Sequence, residues 1–315
     1  MKLKILIFAV FFFTASLADV SAYWIWTPKS KRWTNPKTAV KPSPEEQLDS
    51  AKAAYEAKRY DEAIREFKKL LRSFPKSKEA AVSQYHLGLI EEAQGDLYEA
   101  YLAYQKTIDK YPFFEKIPQI IEREYKIAEA FMGGAKRRAM GLALPVENPA
   151  IEIFTKVINN SSYGPLAASA QYKLGLVLKG LARYYEAEEA FHKVITSYPD
   201  SEWVEASKFQ IASCRAAVSR SPDYDQVAFN EAKEQFEQFV REHPDAVLSG
   251  EAEENINKLN EKEAESNYNT AFFYEKQKAY EAAKIYYREV VENSPQSIWA
   301  AKALERLQVL EKRKK

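Results

Sequence analysis

One cysteine in 315 residues leaves Cys214 without a partner for an internal disulfide. Nine glycines is few for this length, so the residue that tight turns, strands and phosphate loops draw on is scarce, which favours helix. Three histidines, His86, His192 and His243, stand far apart and form no His-x-x-x-His or His-Glu-x-x-His pair, so no metal site is expected. His243, before Pro244 at the end of a helical stretch, suits a helix C-terminus. Gly133-Gly134 is a glycine pair without the Gly-Lys-Ser/Thr ending of a phosphate loop. Adjacent carboxylates such as Glu91-Glu92 and Glu253-Glu254 diverge around a helix and cannot bracket one bond. Cys214 has no histidine near it in sequence and reads as a buried small side chain. The chain is expected to be no enzyme and to need no cofactor.

Charge of one sign is missing too. Of 46 basic and 45 acidic residues, a leader ending at Ala22 would take Lys2, Lys4 and Asp19, leaving 44 of each. A neutral chain has no overall field to gather phosphate backbones, and nucleic acid is not expected as a partner. The Lys312-Arg313-Lys314-Lys315 tail reads as a solvated, dipole-complementing helix end, and Lys136-Arg137-Arg138 as a solvated helix end or a contact for an acidic partner or lipid headgroup. After the apolar run Ile5–Phe13 no second stretch reaches transmembrane length. That run follows Lys2 and Lys4 and precedes Val20-Ser21-Ala22, the order of a secretory signal peptide over residues 1–22, an uncleaved membrane anchor being the alternative. The leader sets the expected location, the periplasm or the periplasmic face of the outer membrane, with no transmembrane span after its removal. No cysteine stands at the cleavage point to carry a lipid.

Residues 23–44 form an arm of their own, with Trp24, Trp26 and Trp33 among Pro28, Pro36, Pro42 and Pro44. The prolines deny it a continuous helix. Its indoles are expected either to pack on the first repeat or to dock on a partner, a glycan of the cell wall being one such partner.

From Pro44 on, the chain repeats. Alanine, an aromatic four residues later and proline eight further on recur as Ala63, Phe67, Pro75; Ala100, Tyr104, Pro112; Ala187, Phe191, Pro199; Ala232, Phe236, Pro244; and Ala283, Tyr287, Pro295. A sixth copy, Ala150 and Phe154, ends in Ser162. Alanine and ring at i and i+4 share a helix face, and proline ends the helix. A first helix precedes each unit, with a small marker residue twelve positions before the alanine, as in Leu87-Gly88, Leu174-Gly175 and Ala271. A polar or small turn then leads to the second helix, as in Lys58-Arg59-Tyr60, Gly95-Asp96-Leu97, Ala182-Arg183-Tyr184 and Lys278-Ala279-Tyr280. Insertions are expected at 133–147 and 219–230, one long helix over 249–277 and a closing helix over 298–312.

This helix–turn–helix unit of about 34 residues resembles the tetratricopeptide repeat. The resemblance implies an all-α superhelical solenoid of about six helix pairs plus a C-terminal capping helix, over residues 45–313. Tyr60–Ser77 and Tyr184–Ser201, with the Ala81–Gly88 and Ala170–Gly175 helices and the charged stretch Glu253–Leu310, resemble the BamD (YfiO-like) family of outer-membrane assembly factors. That likeness implies a non-catalytic, protein-binding scaffold of the bacterial envelope, whose partners are envelope proteins or extended segments of outer-membrane clients. Membrane association is then expected through a complex. Periplasmic repeat proteins of the Tol–Pal type share these motifs, and a peptidoglycan- or glycan-binding module working through the arm is the third reading.

Three residues before each marker stand Leu48, Tyr85, Tyr125, Tyr172, Phe209 and Tyr268, and one residue past it Leu89, Leu176 and Phe272. Rings at one angular position would make a stripe for a peptide, and Trp24, Trp26 and Trp33 would add to it. The same rings would alternatively pack against the second helix of the preceding repeat. Since a ring holds the place of the lysine used by repeats that clamp C-terminal carboxylates, no carboxylate clamp is expected.

Overall fold

The computed structural model describes residues 24–27, 32–35, 39–136, 138–139, 142–143, 148–218 and 226–312. The proposed leader, the end of the basic tail and the core of the second insertion, 219–225, lie outside them. In chain order the elements are β1 (Ile25–Thr27), β2 (Arg32–Thr34), α1 (Pro44–Glu56), α2 (Tyr60–Ser73), α3 (Lys78–Gln94), α4 (Leu97–Lys110), α5 (Ile117–Met132), β3 (Arg138–Ala139), β4 (Leu142–Ala143), α6 (Ala150–Asn160), α7 (Ala167–Gly180), α8 (Tyr184–Ser197), α9 (Trp203–Val218), α10 (Gln226–Glu242), α11 (Val247–Lys276), α12 (Tyr280–Asn293) and α13 (Ile298–Lys312). Among the described residues six helix pairs and a closing helix follow one another, the all-α helical-repeat architecture expected. Two compact units divide the chain, residues 1–90 and 91–315, with the division inside α3.

In the first unit, β1 and β2 pair as an antiparallel hairpin in the register Ile25↔Thr34, Trp26↔Trp33 and Thr27↔Arg32. Helix α1 starts where its sequence says it should. Ser43 caps it, its hydroxyl accepting from the Glu46 N–H at 3.2 Å, Pro44 sits in the first turn, and Glu45 and Glu46 complement the dipole. Ala51 and Ala54 let α1 lie close on α2, where Ala63, Phe67 and Leu70 are fully buried. Gln47 locks that pair, its Nε2 donating to the Glu66 carbonyl at 3.2 Å and to the Glu66 carboxylate at 2.7 Å.

The second unit has its core divided by repeat. Tyr172, Ala187, Phe191, Val194 and Ile211 form one cluster, Phe209, Ala232, Phe236, Phe239 and Leu259 another, and Ala271, Ala283, Tyr287, Ala303 and Leu307 a third. A solenoid buries its core in this way, each repeat against its neighbours. Across both units the alanine and the aromatic of all six repeated motifs are 0 % exposed. Truncating any one of these rings to alanine would cost about 3–5 kcal/mol.

The proline stops act as expected. Phe74, Tyr111, Tyr198 and Ser294 each end a helix one residue before proline, at φ between −132° and −135°. Ser161 leaves α6 in a similar conformation (φ −149°, ψ 60°) with Ser162 in place of proline. The long helix is a single 30-residue element beginning at Val247, two residues before expected. Helix α13 spans the expected residues. The 133–147 insertion contains the short β3–β4 hairpin, paired Arg138↔Ala143 and Ala139↔Leu142. Of the second insertion, residues 226–230 are already helical and open α10.

Candidate functional site

The first helices of the second unit lie side by side. Helix α7 packs on α9, and α9 on α11. Polar contacts join their faces. Tyr125 on α5 shares a 2.6 Å hydrogen bond with Ser169 of α7, and Lys173 of α7 is paired with Glu129 of α5 while its Nζ stands 5.0 Å over the Tyr125 ring. One step on, Lys179 donates to Gln210 and Ser213 of α9, each at 2.6 Å. Burial pulls the Lys179 ammonium below the usual lysine value. This layer of first helices is the face on which the expected aromatic positions fall.

The rings are largely structural. Tyr172 stacks on Trp203 at 4.8 Å and tilts against Phe191 at 5.6 Å, Phe209 meets Phe236 and Phe239 edge-on, and Tyr268 packs on Tyr287 and Trp299. Tyr125 lies edge-on to Phe154. Tyr125, Tyr172, Phe209 and Tyr268 therefore each seat on the second helix of their own repeat, on the aromatic of the Ala-x-x-x-aromatic motif, a neighbour the sequence reading did not name. Tyr85, Tyr172 and Phe209 are buried, with Phe209 only 1 % exposed, so they offer a partner almost no surface. Tyr125, Tyr268, Leu89 and Leu176 are half-buried and Phe272 is exposed beneath Lys276, whose Nζ stands 4.5 Å from its ring centre.

What remains open on this face is mixed in character: edges of Tyr125 and Tyr268, Leu176, Phe272, and the Glu129–Lys173 pair. Sequence reasoning passed over Glu129, Lys173, Lys179, Gln210 and Ser213. They carry no recurring type at a fixed repeat position, which is the signal that revealed the rings.

The residues tested for chemistry sit in ordinary surroundings. Cys214 is buried, and desolvation pushes its thiol up to about 11, the reverse of an activated nucleophile. His86 donates from Nδ1 to the Val82 carbonyl at 2.8 Å, its ring stacked on Phe67. His192 stands 3.6 Å from Glu188, and His243 lies near Glu205 and Glu242. Among the described residues no group of three or more His, Cys, Asp or Glu could hold a metal ion, and no helix is long and apolar enough to cross a membrane. Trp24, Trp26 and Trp33 are all exposed on the hairpin, Trp26 and Trp33 meeting edge-to-face at 5.9 Å.

Residues 150–314 match the family described as outer membrane lipoprotein (YfiO), and residues 48–113 match a tetratricopeptide-repeat family. Among solved structures, the chain is similar to the C-terminal part of a repeat-containing protein from Cytophaga hutchinsonii, at 19 % identity over 83 % of this chain and 88 % of that one, with a TM-score of 0.37. It is also similar to a tetratricopeptide repeat protein from Parabacteroides merdae, at 16 % identity over 85 % of this chain and 98 % of that one, with a TM-score of 0.34. No curated protein matches. With more than half of its length inside the first match, the chain belongs to the YfiO, or BamD-like, family of outer membrane lipoproteins and is built of tetratricopeptide repeats.

Proposed function

We propose that this chain is a non-catalytic, protein-binding scaffold of the bacterial cell envelope that works in outer-membrane protein assembly, holding envelope proteins or extended client segments against its layer of first helices. The family match over residues 150–314 carries this reading. The side-by-side first helices support it, since tetratricopeptide folds present that layer to their partners. In the same reading, residues 1–22 are a cleaved leader, 23–44 an N-terminal arm and 45–313 the repeat region, and the protein works in the periplasm or at the periplasmic face of the outer membrane.

Half-buried rings beside an ion pair suit an extended segment with alternating apolar and polar side chains. The test is a photo-crosslinking residue placed in living cells at Tyr125, Leu176 or Phe272, with Tyr185 and Ile285 on exposed faces of the second helices as comparison sites. Outer-membrane assembly components or clients captured from the first set and not from the second are the expected result. Equal capture from both sets, or capture of no envelope protein, overturns it.

A further inference from the structure

The arm ahead of the repeats is unlike the rest of the chain in charge. Residues 23–43 carry Lys29, Lys31, Arg32, Lys37 and Lys41 and no acidic residue. Taking those five and the leader's two from 46 basic residues, and Asp19 from 45 acidic ones, leaves 39 basic against 44 acidic residues for the remainder. A cationic arm thus precedes an acidic body.

The hairpin also sorts its side chains. Successive strand residues point to opposite faces, and cross-strand partners share one. Trp26 and Trp33 are partners, and Trp24, one residue ahead of β1, has the parity of Trp26. Three exposed indoles therefore belong to one face, with Ile25 on the other.

We propose that the arm, residues 23–43, is a docking element for an anionic phospholipid surface. Indoles settle at the level of lipid headgroups, where an apolar ring with one N–H is better placed than in water or hydrocarbon. Clustered lysine and arginine add attraction to anionic headgroups. Strand pairing satisfies backbone groups that would otherwise resist entering the interface. The net-acidic remainder of the chain adds nothing to that attraction, so the arm alone carries it. A sugar platform fits less well: Trp26 and Trp33 meet at 63°, a wedge and not a flat stacking surface, and the arm has no carboxylate to accept from hydroxyls.

The experiment is flotation of the protein beginning at Tyr23 with vesicles of phosphatidylethanolamine and phosphatidylglycerol, with phosphatidylcholine vesicles and insoluble peptidoglycan in parallel. Binding to the anionic vesicles is expected, weakened about tenfold or more by Trp24→Ala/Trp26→Ala/Trp33→Ala or by Lys29→Gln/Lys31→Gln/Arg32→Gln, and released by about 0.5 M salt. Unchanged helical circular dichroism and melting would show that the variants keep their repeats. Equal flotation of parent and variants, no flotation at all, or retention on peptidoglycan alone overturns the proposal. None of these outcomes bears on the crosslinking test of the scaffold.

Discussion

Arg306 of α13 and Glu275 of α11 are joined by two hydrogen bonds, from Nε at 3.2 Å and from a terminal guanidinium nitrogen. The Tyr287 hydroxyl of α12 donates to the same carboxylate at 3.0 Å. Near the start of the second unit the arrangement recurs: Arg123 donates to both oxygens of Glu92 at 3.0 Å and Tyr104 donates at 2.6 Å. The spacings match, twelve residues from carboxylate to tyrosine and 31 to arginine. In each case a carboxylate on a first helix ties its own second helix to the next helix in the stack.

At the closing end that tie holds a helix with no further repeat beyond it among the described residues. Glu275→Ala strands the Tyr287 hydroxyl and the Arg306 guanidinium together. A loss of about 2 kcal/mol is expected, less than for a fully buried pair because Arg306 is partly exposed. Hydrogen exchange should show α13 opening before the rest of the unit.

Glu124 is wholly buried, its two oxygens accepting from Gln105 Nε2 at 2.9 and 2.8 Å. Burial pushes its carboxyl up to about 8, Gln105 and the Lys156 charge opposing and the Asp109 charge adding. The folded chain thus holds a proton that the unfolded chain releases near 4.5. Its contribution is fully present below that value and is lost as pH rises toward about 8, at about 1.4 kcal/mol per pH unit. Glu124→Gln keeps an acceptor for Gln105 and cannot ionise. Urea unfolding of the two proteins at pH 5 and pH 9 should show the variant's advantage growing by several kcal/mol with pH; a constant difference would refute the assignment.

Gly175 is the marker of its repeat because the Phe191 ring leaves no room for more. A Cβ there would lie 2.5 Å from Cε1 and 2.8 Å from Cδ1 and Cζ of that fully buried ring. Gly175→Ala should cost about 1–3 kcal/mol in a thermal or urea melt. Adding Phe191→Leu should recover part of it, a coupling that a double-mutant cycle measures.

The turn between paired helices uses a left-handed residue at one repeat position. Lys58, Ala182 and Lys278 stand there at φ 56°, 57° and 61°, and Gly95 at 83°. Each time the next residue's N–H reaches back to the carbonyl five residues earlier, as from Arg183 to Leu178 at 3.0 Å. Ala182→Gly relieves the backbone clash and should raise stability by about 0.5–1 kcal/mol after its entropic cost. Gly95→Ala should lower it by a similar amount, since nothing lies within 4 Å of the added Cβ and only the backbone resists.

The second helices were legible because their signal is local: an alanine and a ring four residues apart share a helix face, and a proline stops the chain. All six pairs are buried as that pattern implies, and the closing helix spans the expected residues. The arm's indoles could be counted in the sequence, but its prolines hid a strand pairing in which Trp26 finds Trp33.

The sequence by itself determined six helical repeats and a basic, tryptophan-rich arm, because helix periodicity, turn residues and charge are written in neighbouring positions. Only the tertiary structure decided where the rings three before each marker point. A helix face bordering both its own second helix and open space looks the same in one dimension. Tyr172 is buried because Phe191, 19 residues on, and Trp203 of the next repeat close around it. The carboxylate of Glu124 is hidden for the same reason, since its surroundings come from helices brought together by the stack.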